Sequence, residues 1–303
     1  MNSLLSALNE IKIDLISLDL LPKEIELCRF SSFYFSNIKM KEFEGTISDS
    51  VVCGFDENPE IALLKSFSEY IEILSFKNGF KNNLSSCMTD RSDGFSAFPK
   101  FNQEYLQEAR QRALAEAFER YVWANWWDQS QNGFNLSEVK FGEKDTTKES
   151  TLLKKLSQII EIDKVFCITP YFHPFKNFKI QIYFAFLKNG GVISGGACGN
   201  SDLISFRAIS ELIRHGLAAH RFKTTKILPI SFYEKRLCFF LKPEGELLVH
   251  ERLSQQGQEI PNRPILNIDC EIPSVAPNSF YVHRCLFKNQ PPFIGGAIER
   301  FCL

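Results

Sequence analysis

The sequence lacks an excess of charge of either sign, since 35 Lys and Arg residues face 36 Asp and Glu residues for a formal net charge of -1. Nucleic acid is therefore excluded as the main partner, because binding to a phosphate backbone needs a basic surface. The chain also lacks a run of about 18 apolar residues, the length that a membrane-spanning helix needs. Glu10, Asp14 and Asp19 interrupt the apolar N-terminus, which argues against a signal peptide. We expect a cytoplasmic protein without a membrane segment.

Short motifs for common cofactors are missing as well. The chain contains neither a G-x-G-x-x-G fingerprint nor a Walker A motif, which excludes the two common nucleotide-binding loops. Its nine cysteines form no C-x-x-C pair, so a zinc or iron–sulfur site built from local spacing is not supported. Scattered cysteines of odd number favour reduced thiols. No Ser/His/Asp or Cys/His arrangement for nucleophilic catalysis is recognisable either.

What the sequence does contain is typical of a globular protein with a large core. Of its 303 residues 44% are hydrophobic and 23% are charged, and 29 are Phe, whose large rings fill an interior. Helical and strand patterns mingle without the regular alternation of a Rossmann domain. We therefore predict an α+β fold.

Local patterns predict the individual elements. An amphipathic helix opens the chain, and the aromatic run 30–35 is typical of a strand. A helix is predicted to begin at about Pro59, which suits the first turn, and to end near Gly79. Asn58 or Glu57 suits its N-terminal cap. Further predictions are helices over 101–127, 151–162 and 201–215, an exposed loop over 133–150, strands over 164–168, 180–187 and 192–197, and a hairpin turn at Gly190-Gly191.

The strongest pattern lies between Ser92 and Trp127. A turn of small residues, Ser-Asp-Gly, precedes a segment rich in Ala, Leu, Glu, Gln and Arg, all strong helix formers. Four carboxylates recur along it, at Glu104, Glu108, Glu116 and Glu119. Because an α-helix turns about 100° per residue, Glu116 and Glu119 lie on one side, one turn apart. Alone, such a pattern is more typical of a helix whose charges face water.

Two further acidic helices repeat the pattern, each after its own predicted turn. The first carries Glu69 and Glu72 after GFDENP, and the third carries Arg207 and Glu211 after GGACGNSD. Three such units favour helices that converge. Buried carboxylates are costly unless cations offset them, and Mg²⁺ takes oxygen ligands. Arginine suits phosphate oxygens, although Arg207 and Glu211, one turn apart, also suit an ordinary ion pair.

The three helices together resemble the YcaO domain, a family that uses ATP to modify peptide backbones. The SDG turn and the helix EA…ALAEAFER are similar to the family's S-x-G turn and E-A…A-L…E-x-x-E-R. Glu69 and Glu72 match its earlier E-x-x-E, and Arg207 and Glu211 match its later R-x-x-x-E.

The resemblance is closest over residues 50–216 and implies one YcaO-like domain over 1–303. That domain would have an N-terminal helix and strands (1–50), a core that binds ATP and Mg²⁺ (51–216) and a C-terminal part (217–303). It implies mixed or antiparallel sheets, with the three acidic helices converging on a nucleotide.

The resemblance also implies roles for individual residues. The Mg²⁺ ligands would be Glu69, Glu72, Glu108, Glu116, Glu119 and Glu211. Phosphate would be contacted by Arg120 and Arg207, and a nucleotide-facing turn would be formed by Ser92, Asp93 and Gly94. Among these, Glu116, Glu119 and Arg207 would act in catalysis.

The family's chemistry implies the reaction. A Cys, Ser or Thr side chain of a precursor peptide attacks a backbone amide, ATP phosphorylates the amide oxygen, and an azoline ring forms. Related members make thioamides or amidines, and a YcaO-fold docking subunit without ATP chemistry is a further alternative. A partner protein would supply leader-peptide recognition, and a homodimer or a hetero-complex is compatible with the sequence.

The sequence departs from the family pattern in three places. Ile73 follows Glu72 where a charged residue often occurs, and Phe98 stands where a small residue is usual. The chain ends without the P-x-P-x-P motif of azoline-forming members, its nearby prolines being Pro291 and Pro292. The product is therefore left open between an azoline and the alternatives.

Overall fold

The computed structural model describes residues 2–22, 24–39, 51–81, 93–101, 104–128, 134–141, 145–170, 178–200, 202–225, 228–229, 231–254, 264–293 and 297–300. Helices and strands mingle in these residues, which confirms the predicted α+β class. In chain order the elements are α1 (Asn2–Ser17), β1 (Glu24–Phe30), β2 (Phe33–Lys39), β3 (Val51–Asp56), α2 (Pro59–Lys81), β4 (Gly94–Pro99), α3 (Tyr105–Asp128), β5 (Phe134–Glu138), α4 (Lys148–Ile160), β6 (Ile162–Pro170), β7 (Lys179–Leu187), β8 (Val192–Gly199), α5 (Ile204–Thr225), α6 (Phe232–Phe240), α7 (Pro243–Ser254), β9 (Leu266–Ile272) and β10 (Phe280–Phe287).

The chain divides into two compact units. The first comprises Met1–Thr89, Asp93–Ala117 and Leu266–Leu286, and the second comprises Asp90–Ser92, Phe118–Ile265 and Phe287–Leu303. Helix α3 therefore contributes its first half to one unit and its second half to the other. The prediction of a single domain over 1–303 stays a prediction. Within the described residues, no helix combines the length and apolar character that membrane crossing requires.

The first unit is built on two three-stranded sheets. Their strand orders are β1-β2-β3 and β4-β10-β9, and α2 packs against β2, β3 and β4. The core between these elements is aromatic and aliphatic, with Phe67, Ile71, Phe280 and Val282 completely buried. Burial of these side chains supplies the main driving force for the packing, at about 1.5–3 kcal/mol for each one.

The second unit is built on one antiparallel sheet in the order β5-β6-β7-β8. Helix α5 packs on β7 and β8, and α4 packs on α5. Trp123, Trp126, Phe184 and Phe240 fill its core, with the rings of Trp126 and Phe184 centred 5.2 Å apart. Strand β8 is buried along its whole length, which its small residues permit because they let the helix approach closely.

Several local predictions are confirmed. Helix α2 begins at Pro59, and the Oδ1 atom of Asn58 accepts hydrogen bonds from the N–H groups of Glu60 at 2.8 Å and Ile61 at 3.0 Å. Gly190 and Gly191 form the hairpin turn between β7 and β8 with φ of 82° and 99°. These signals are local, so they do not depend on distant parts of the chain.

Other local predictions are wrong. The run 30–35 is two strands joined by a turn, with Ser31 at φ 60°, because β1 pairs back onto β2 there. The loop predicted over 133–150 contains β5, which forms by pairing with β6, and the start of α4, where Thr147 Oγ1 accepts from the N–H of Ser150 at 3.3 Å. Helix α3 begins at Tyr105, four residues later than expected, and α5 continues ten residues further, to Thr225.

Glycines of the three segments predicted as turns before the acidic helices lie in strands, and for Gly195 this agrees with the strand predicted over 192–197. Gly54 is in β3, Gly94 is in β4 and Gly195 is in β8. A Cβ atom on Gly94 would lie 1.9 Å from the carbonyl oxygen of Ala113, and one on Gly195 would lie 2.2 Å from the amide nitrogen of Leu212. The same closeness, 1.9 Å, holds at Gly54. Each strand thus lies directly on the backbone of the helix that follows it, which only glycine permits.

This contact predicts that Gly94→Ala is severely destabilising. Backbone atoms of α3 cannot move aside like a flexible side chain, so we expect a loss of about 4 kcal/mol or more, the range of exceptional substitutions. The matched control is Gly190→Ala, where the nearest atom lies 3.5 Å away and only the positive φ opposes the change. We expect that variant to lose about 1 kcal/mol. Urea unfolding followed by circular dichroism measures both, and equal losses would contradict the close contact.

Candidate functional site

Two of the predicted glutamates are tied to strands of the first unit. The N–H of Phe95 donates to Oε2 of Glu116 at 2.6 Å, and the N–H of Cys53 donates to Oε2 of Glu69 at 2.9 Å. Such charge-assisted bonds are roughly twice as strong as neutral ones. A hydrogen bond from a backbone N–H orients the carboxylate that accepts it. Both side chains are therefore held in fixed directions, as metal ligands need to be.

In the second unit two predicted glutamates meet at one strand residue. The N–H of Gly196 in β8 donates to Oε2 of Glu211 at 2.9 Å. A Cβ atom on the same glycine would lie 3.3 Å from Oε1 of Glu119, and 2.7 Å from the ring of Trp123. Arg214 donates to Oε1 of Glu211 at 3.2 Å. Helices α3 and α5 thus bring two carboxylates to Gly196, and we call these two side chains the Gly196 carboxylates.

Each strand and the helix packed on it form a strand–helix unit, and the position of the hydrogen-bonded glutamate differs between these units. Glu116 and Glu211 hold equivalent places, three residues after the alanine whose carbonyl approaches the strand glycine, and both accept from the residue after that glycine. In the first helix that place is occupied by Lys65. Glu69 lies one turn further on and accepts from the residue before Gly54. Glu69 and Glu116 are therefore equivalent only to within one helical turn.

His215 of α5 occupies the place that Glu69 occupies in α2. It is fully buried, and its Nδ1 lies 2.5 Å from the carbonyl oxygen of Ser194, the residue before Gly195, so that Nδ1–H donates. Burial lowers the pKa of His215 to about 3, and the charge of Arg214 adds to the effect. The imidazole is therefore neutral at physiological pH and links α5 to β8.

The remaining carboxylates predicted to bind metal lie in the first unit. Glu72 is half-buried on α2. Glu108 lies on the first turn of α3, and its Oε2 is 3.8 Å from Nε of Arg112, with 39% of the glutamate side chain exposed. Glu104, expected within the helix, is a turn residue just before α3. Glu72 and Glu108 thus lie on the same two helices as Glu69 and Glu116.

The two predicted phosphate-binding arginines have different surroundings in the second unit. Arg120 is 7% exposed, and its guanidinium carbon lies 5.5 Å from the ring centre of Phe293. Arg207 is exposed near the start of α5, with Nη1 3.7 Å from the position of a Cβ atom on Gly199. Arg207 is thus the one that solvent and solutes reach readily.

Asp93 and Gly94 have contacts that sequence reasoning missed. Asp93 is completely buried, and its Oδ2 accepts from Nε of Arg284 on β10, which is also buried and lies 5.8 Å from the ring centre of Phe95. Gly94 faces the backbone of α3. No local pattern connects Asp93 to Arg284, because 191 residues separate them. The third member of the predicted turn, Ser92, lies outside the described residues, and the nucleotide-facing role stays a prediction.

The buried thiols of the second unit, Cys167 and Cys198, are protonated and unreactive at neutral pH. Burial raises the pKa of Cys198 well above its usual range, and the nearby charge of Glu119 raises it further. Burial likewise raises the pKa of Cys167 to about 11. All seven cysteines in the described residues are reduced. Neither buried thiol is activated as a nucleophile, since activation requires a lowered pKa.

Comparison with solved structures identifies the fold. The chain superposes on YcaO from Methanopyrus kandleri, solved with AMPPCP and Mg²⁺ bound, with a TM-score of 0.60 and 11% sequence identity, over 96% of this chain and 92% of the other. No protein-family model and no curated protein matches the sequence. The chain therefore has a YcaO-like fold, as its motifs predicted.

The buried ion pair of Asp93 and Arg284 predicts that the free energy of unfolding depends strongly on both residues. Asp93→Ala leaves a buried guanidinium without its carboxylate, so we expect a loss of about 3–5 kcal/mol in unfolding free energy. Adding Arg284→Met should recover part of that loss, because the uncompensated charge is removed. The control is Glu24→Ala, which breaks an exposed pair with Lys39 and should cost less than about 1 kcal/mol. Chemical denaturation measures the unfolding free energies of the single and double variants. A double variant that is no more stable than Asp93→Ala would contradict the proposed role of the ion pair.

His215 predicts a pH dependence of stability. Because its pKa is about 3 when folded and about 6.5 when unfolded, the unfolded chain binds the proton more readily. Stability is complete above pH 6.5 and falls as the pH drops toward 3. His215→Gln removes this dependence, so its stability should fall less steeply between pH 6.5 and 4. Denaturation of both proteins at several pH values measures the difference, and parallel profiles would contradict a buried neutral imidazole.

Proposed function

We propose that this chain, with its YcaO-like fold, is an ATP-dependent enzyme that modifies a backbone amide of a peptide. The reaction that we propose is cyclodehydration of Cys, Ser or Thr to an azoline. The observation that carries the proposal is the approach of Glu119 and Glu211 to Gly196. Mg²⁺ is usually held by one or two carboxylates together with phosphate oxygens, and YcaO from Methanopyrus kandleri, which has a similar fold, is bound with AMPPCP and Mg²⁺.

The chemistry of the Gly196 carboxylates fits a hard divalent cation. Both are half-buried, so their negative charges repel each other more strongly than they would in water. A hydrogen bond from a strand N–H holds Glu211, and the ion pair with Arg214 at 3.2 Å offsets part of its charge. A bound cation would offset both charges and link them to nucleotide phosphates, which also bind Mg²⁺ through oxygen.

The proposed roles of the other residues follow the family resemblance. Glu69, Glu72, Glu108 and Glu116 would be further metal ligands of the first unit. Arg207 would contact phosphate because it is exposed, and Arg120 would do so from a buried position. For a guanidinium, such contacts are forked hydrogen bonds that position the phosphate as well as neutralise it.

The proposed reaction needs positioning more than a protein nucleophile. ATP with Mg²⁺ supplies the phosphoryl group that turns the amide oxygen of the peptide into a leaving group. The peptide's own thiol or hydroxyl would lose its proton and add to the carbonyl carbon, the amide oxygen would depart as phosphate with ADP released, and the nitrogen would lose its proton, so that the peptide loses one water overall. The carboxylates and arginines of this chain would neutralise charge and hold the groups in line. The unreactive buried thiols of the second unit are consistent with a reaction in which the peptide supplies the nucleophile.

We further propose that the substrate is a ribosomally made precursor peptide in the cytoplasm and that a partner protein recognises its leader. Support comes from the family resemblance alone, and a substrate without a leader peptide is the alternative. Thioamide and amidine formation are the neighbouring reactions, and the mass of the product distinguishes them. Loss of water indicates an azoline, and exchange of oxygen for sulfur indicates a thioamide.

Mg²⁺-dependent nucleotide binding tests the proposed roles of the Gly196 carboxylates. We expect Glu119→Gln and Glu211→Gln each to weaken binding of a non-hydrolysable ATP analogue by about tenfold or more, since even groups that only orient metal ligands have effects of that size. The matched control is Glu138→Gln, an exposed glutamate of the same unit on β5, which should bind like wild type. Calorimetry with and without Mg²⁺ measures the affinities.

The binding results distinguish failure of the proposed function from failure of the proposed site. Failure of the wild type to bind the nucleotide, alone and with its partner, would refute the ATP-dependent enzyme. Binding that is equally strong in the wild type and in both glutamine variants would leave the function standing and refute the assignment of the Gly196 carboxylates.

A further inference from the structure

Three side chains of the first unit form a group outside the proposed nucleotide chemistry. Asp269 lies on β9, and His283 and Cys285 lie on β10. Nε2 of His283 is 2.8 Å from Oδ1 of Asp269, and Sγ of Cys285 is 3.7 Å from the same oxygen. One ligand atom from each residue lies within 4.8 Å of the other two. In the described residues it is the one such group of three, and it includes none of the predicted carboxylates.

The strand geometry explains why these atoms converge. Residues two apart on a strand point to the same face, so His283 and Cys285 present their side chains side by side. Asp269 reaches them from the neighbouring strand β9. His283 is 6% exposed and Cys285 is completely buried, while 25% of the Asp269 side chain is exposed. The group thus combines nitrogen, oxygen and sulfur atoms, and Asp269 is its solvent-exposed member.

We propose that Asp269, His283 and Cys285 form a binding site for a divalent cation of the zinc class. Zinc bonds of about 2.0–2.3 Å place tetrahedral ligands about 3.3–3.8 Å apart. The observed Asp269–Cys285 distance of 3.7 Å is within that range, and the Asp269–His283 distance of 2.8 Å needs to widen by only about 0.5 Å. The fourth position opens toward water, and the thiol proton passes to solvent when the metal binds.

Arg110 of α3 supports the carboxylate in this site. Its Nε lies 2.9 Å from Oδ1 and 3.0 Å from Oδ2 of Asp269, and its Nη2 lies 2.5 Å from Oδ2. The guanidinium contacts both oxygens, and Oδ1 is the one that also lies next to His283 and Cys285. Outer hydrogen bonds of this kind are usual for metal-bound carboxylates.

The charges also balance. A thiolate and a carboxylate neutralise a divalent cation, so the repulsion between the metal and Arg110 is offset at the metal itself. The Arg110 side chain is 51% exposed, and solvent screens what remains. Sulfur and imidazole ligands favour zinc and cobalt over Mg²⁺, which prefers oxygen alone. This site is therefore chemically distinct from the Gly196 carboxylates.

Cobalt binding to the full, metal-stripped chain tests the proposal, because a thiolate bound to Co²⁺ has a charge-transfer absorption that oxygen ligands lack. We expect one Co²⁺ per chain with this absorption, displaced by Zn²⁺ and not by excess Mg²⁺. Cys285→Ser should abolish the thiolate absorption, and His283→Gln should weaken Co²⁺ binding about tenfold or more. The matched control is Cys270→Ser, an exposed cysteine next to Asp269, which should bind like wild type.

Two results would overturn the proposal. One is a wild type that shows no thiolate absorption with Co²⁺, which needs no variant and so is independent of whether Cys285→Ser folds. The other is an absorption that survives in folded Cys285→Ser or disappears in Cys270→Ser. Circular dichroism of each variant establishes folding. Nucleotide binding is measured separately, so failure of this site and failure of the proposed enzyme are distinguishable.

Discussion

The contact between a glycine in a strand and the backbone of the helix that follows is the constraint on which the candidate site depends. At Gly94 and Gly195 the helix is so close that a single methyl group has no room. In each helix the carbonyl oxygen of one alanine, called the touching alanine, approaches the strand glycine. This close contact brings the glutamate three residues after that alanine within reach of a strand N–H. A larger residue at the glycine would separate strand from helix and remove the hydrogen bond. The direction of Glu116 and Glu211 is therefore set by two glycines that have no chemistry of their own.

The same scaffold accepts different side chains at equivalent places. Three residues after the touching alanine stand Lys65, Glu116 and Glu211, and seven residues after it stand Glu69 in α2 and His215 in α5. Glu69 accepts from a strand N–H, whereas His215 donates to a strand carbonyl. The close contact is thus common to three units, while the charge placed on it differs from one to the next. A fully buried neutral imidazole tightens α5 against β8 without adding charge near Glu211.

Much of this organisation was predictable from the sequence, and the remainder depends on distant contacts. Acidic helices and the Asn58 cap follow from residues close together in the chain, and the ordered motifs led to the YcaO-like fold. Glycine is common both in turns and where another backbone comes close, so Gly94 was assigned to a turn, and Gly195 to the end of a strand that leads into one. Only the packed helix distinguishes the two cases. The salt bridge from Asp93 to Arg284 and the group of ligand atoms at Asp269 arise from strand pairing, which no local spacing encodes.

The two candidate cation sites illustrate how donor chemistry can separate metals within one chain. Glu119 and Glu211 offer only oxygen, and their half-buried charges suit a hard ion that keeps part of its water and binds phosphate. Asp269, His283 and Cys285 offer one oxygen, one nitrogen and one sulfur, a set to which Mg²⁺ binds poorly and zinc binds well. Zinc also binds carboxylates, so selectivity at Gly196 has to come from the abundance of Mg²⁺ and from the nucleotide that brings it. A mixed-donor site that takes up zinc more tightly would keep that ion away from the oxygen-only carboxylates.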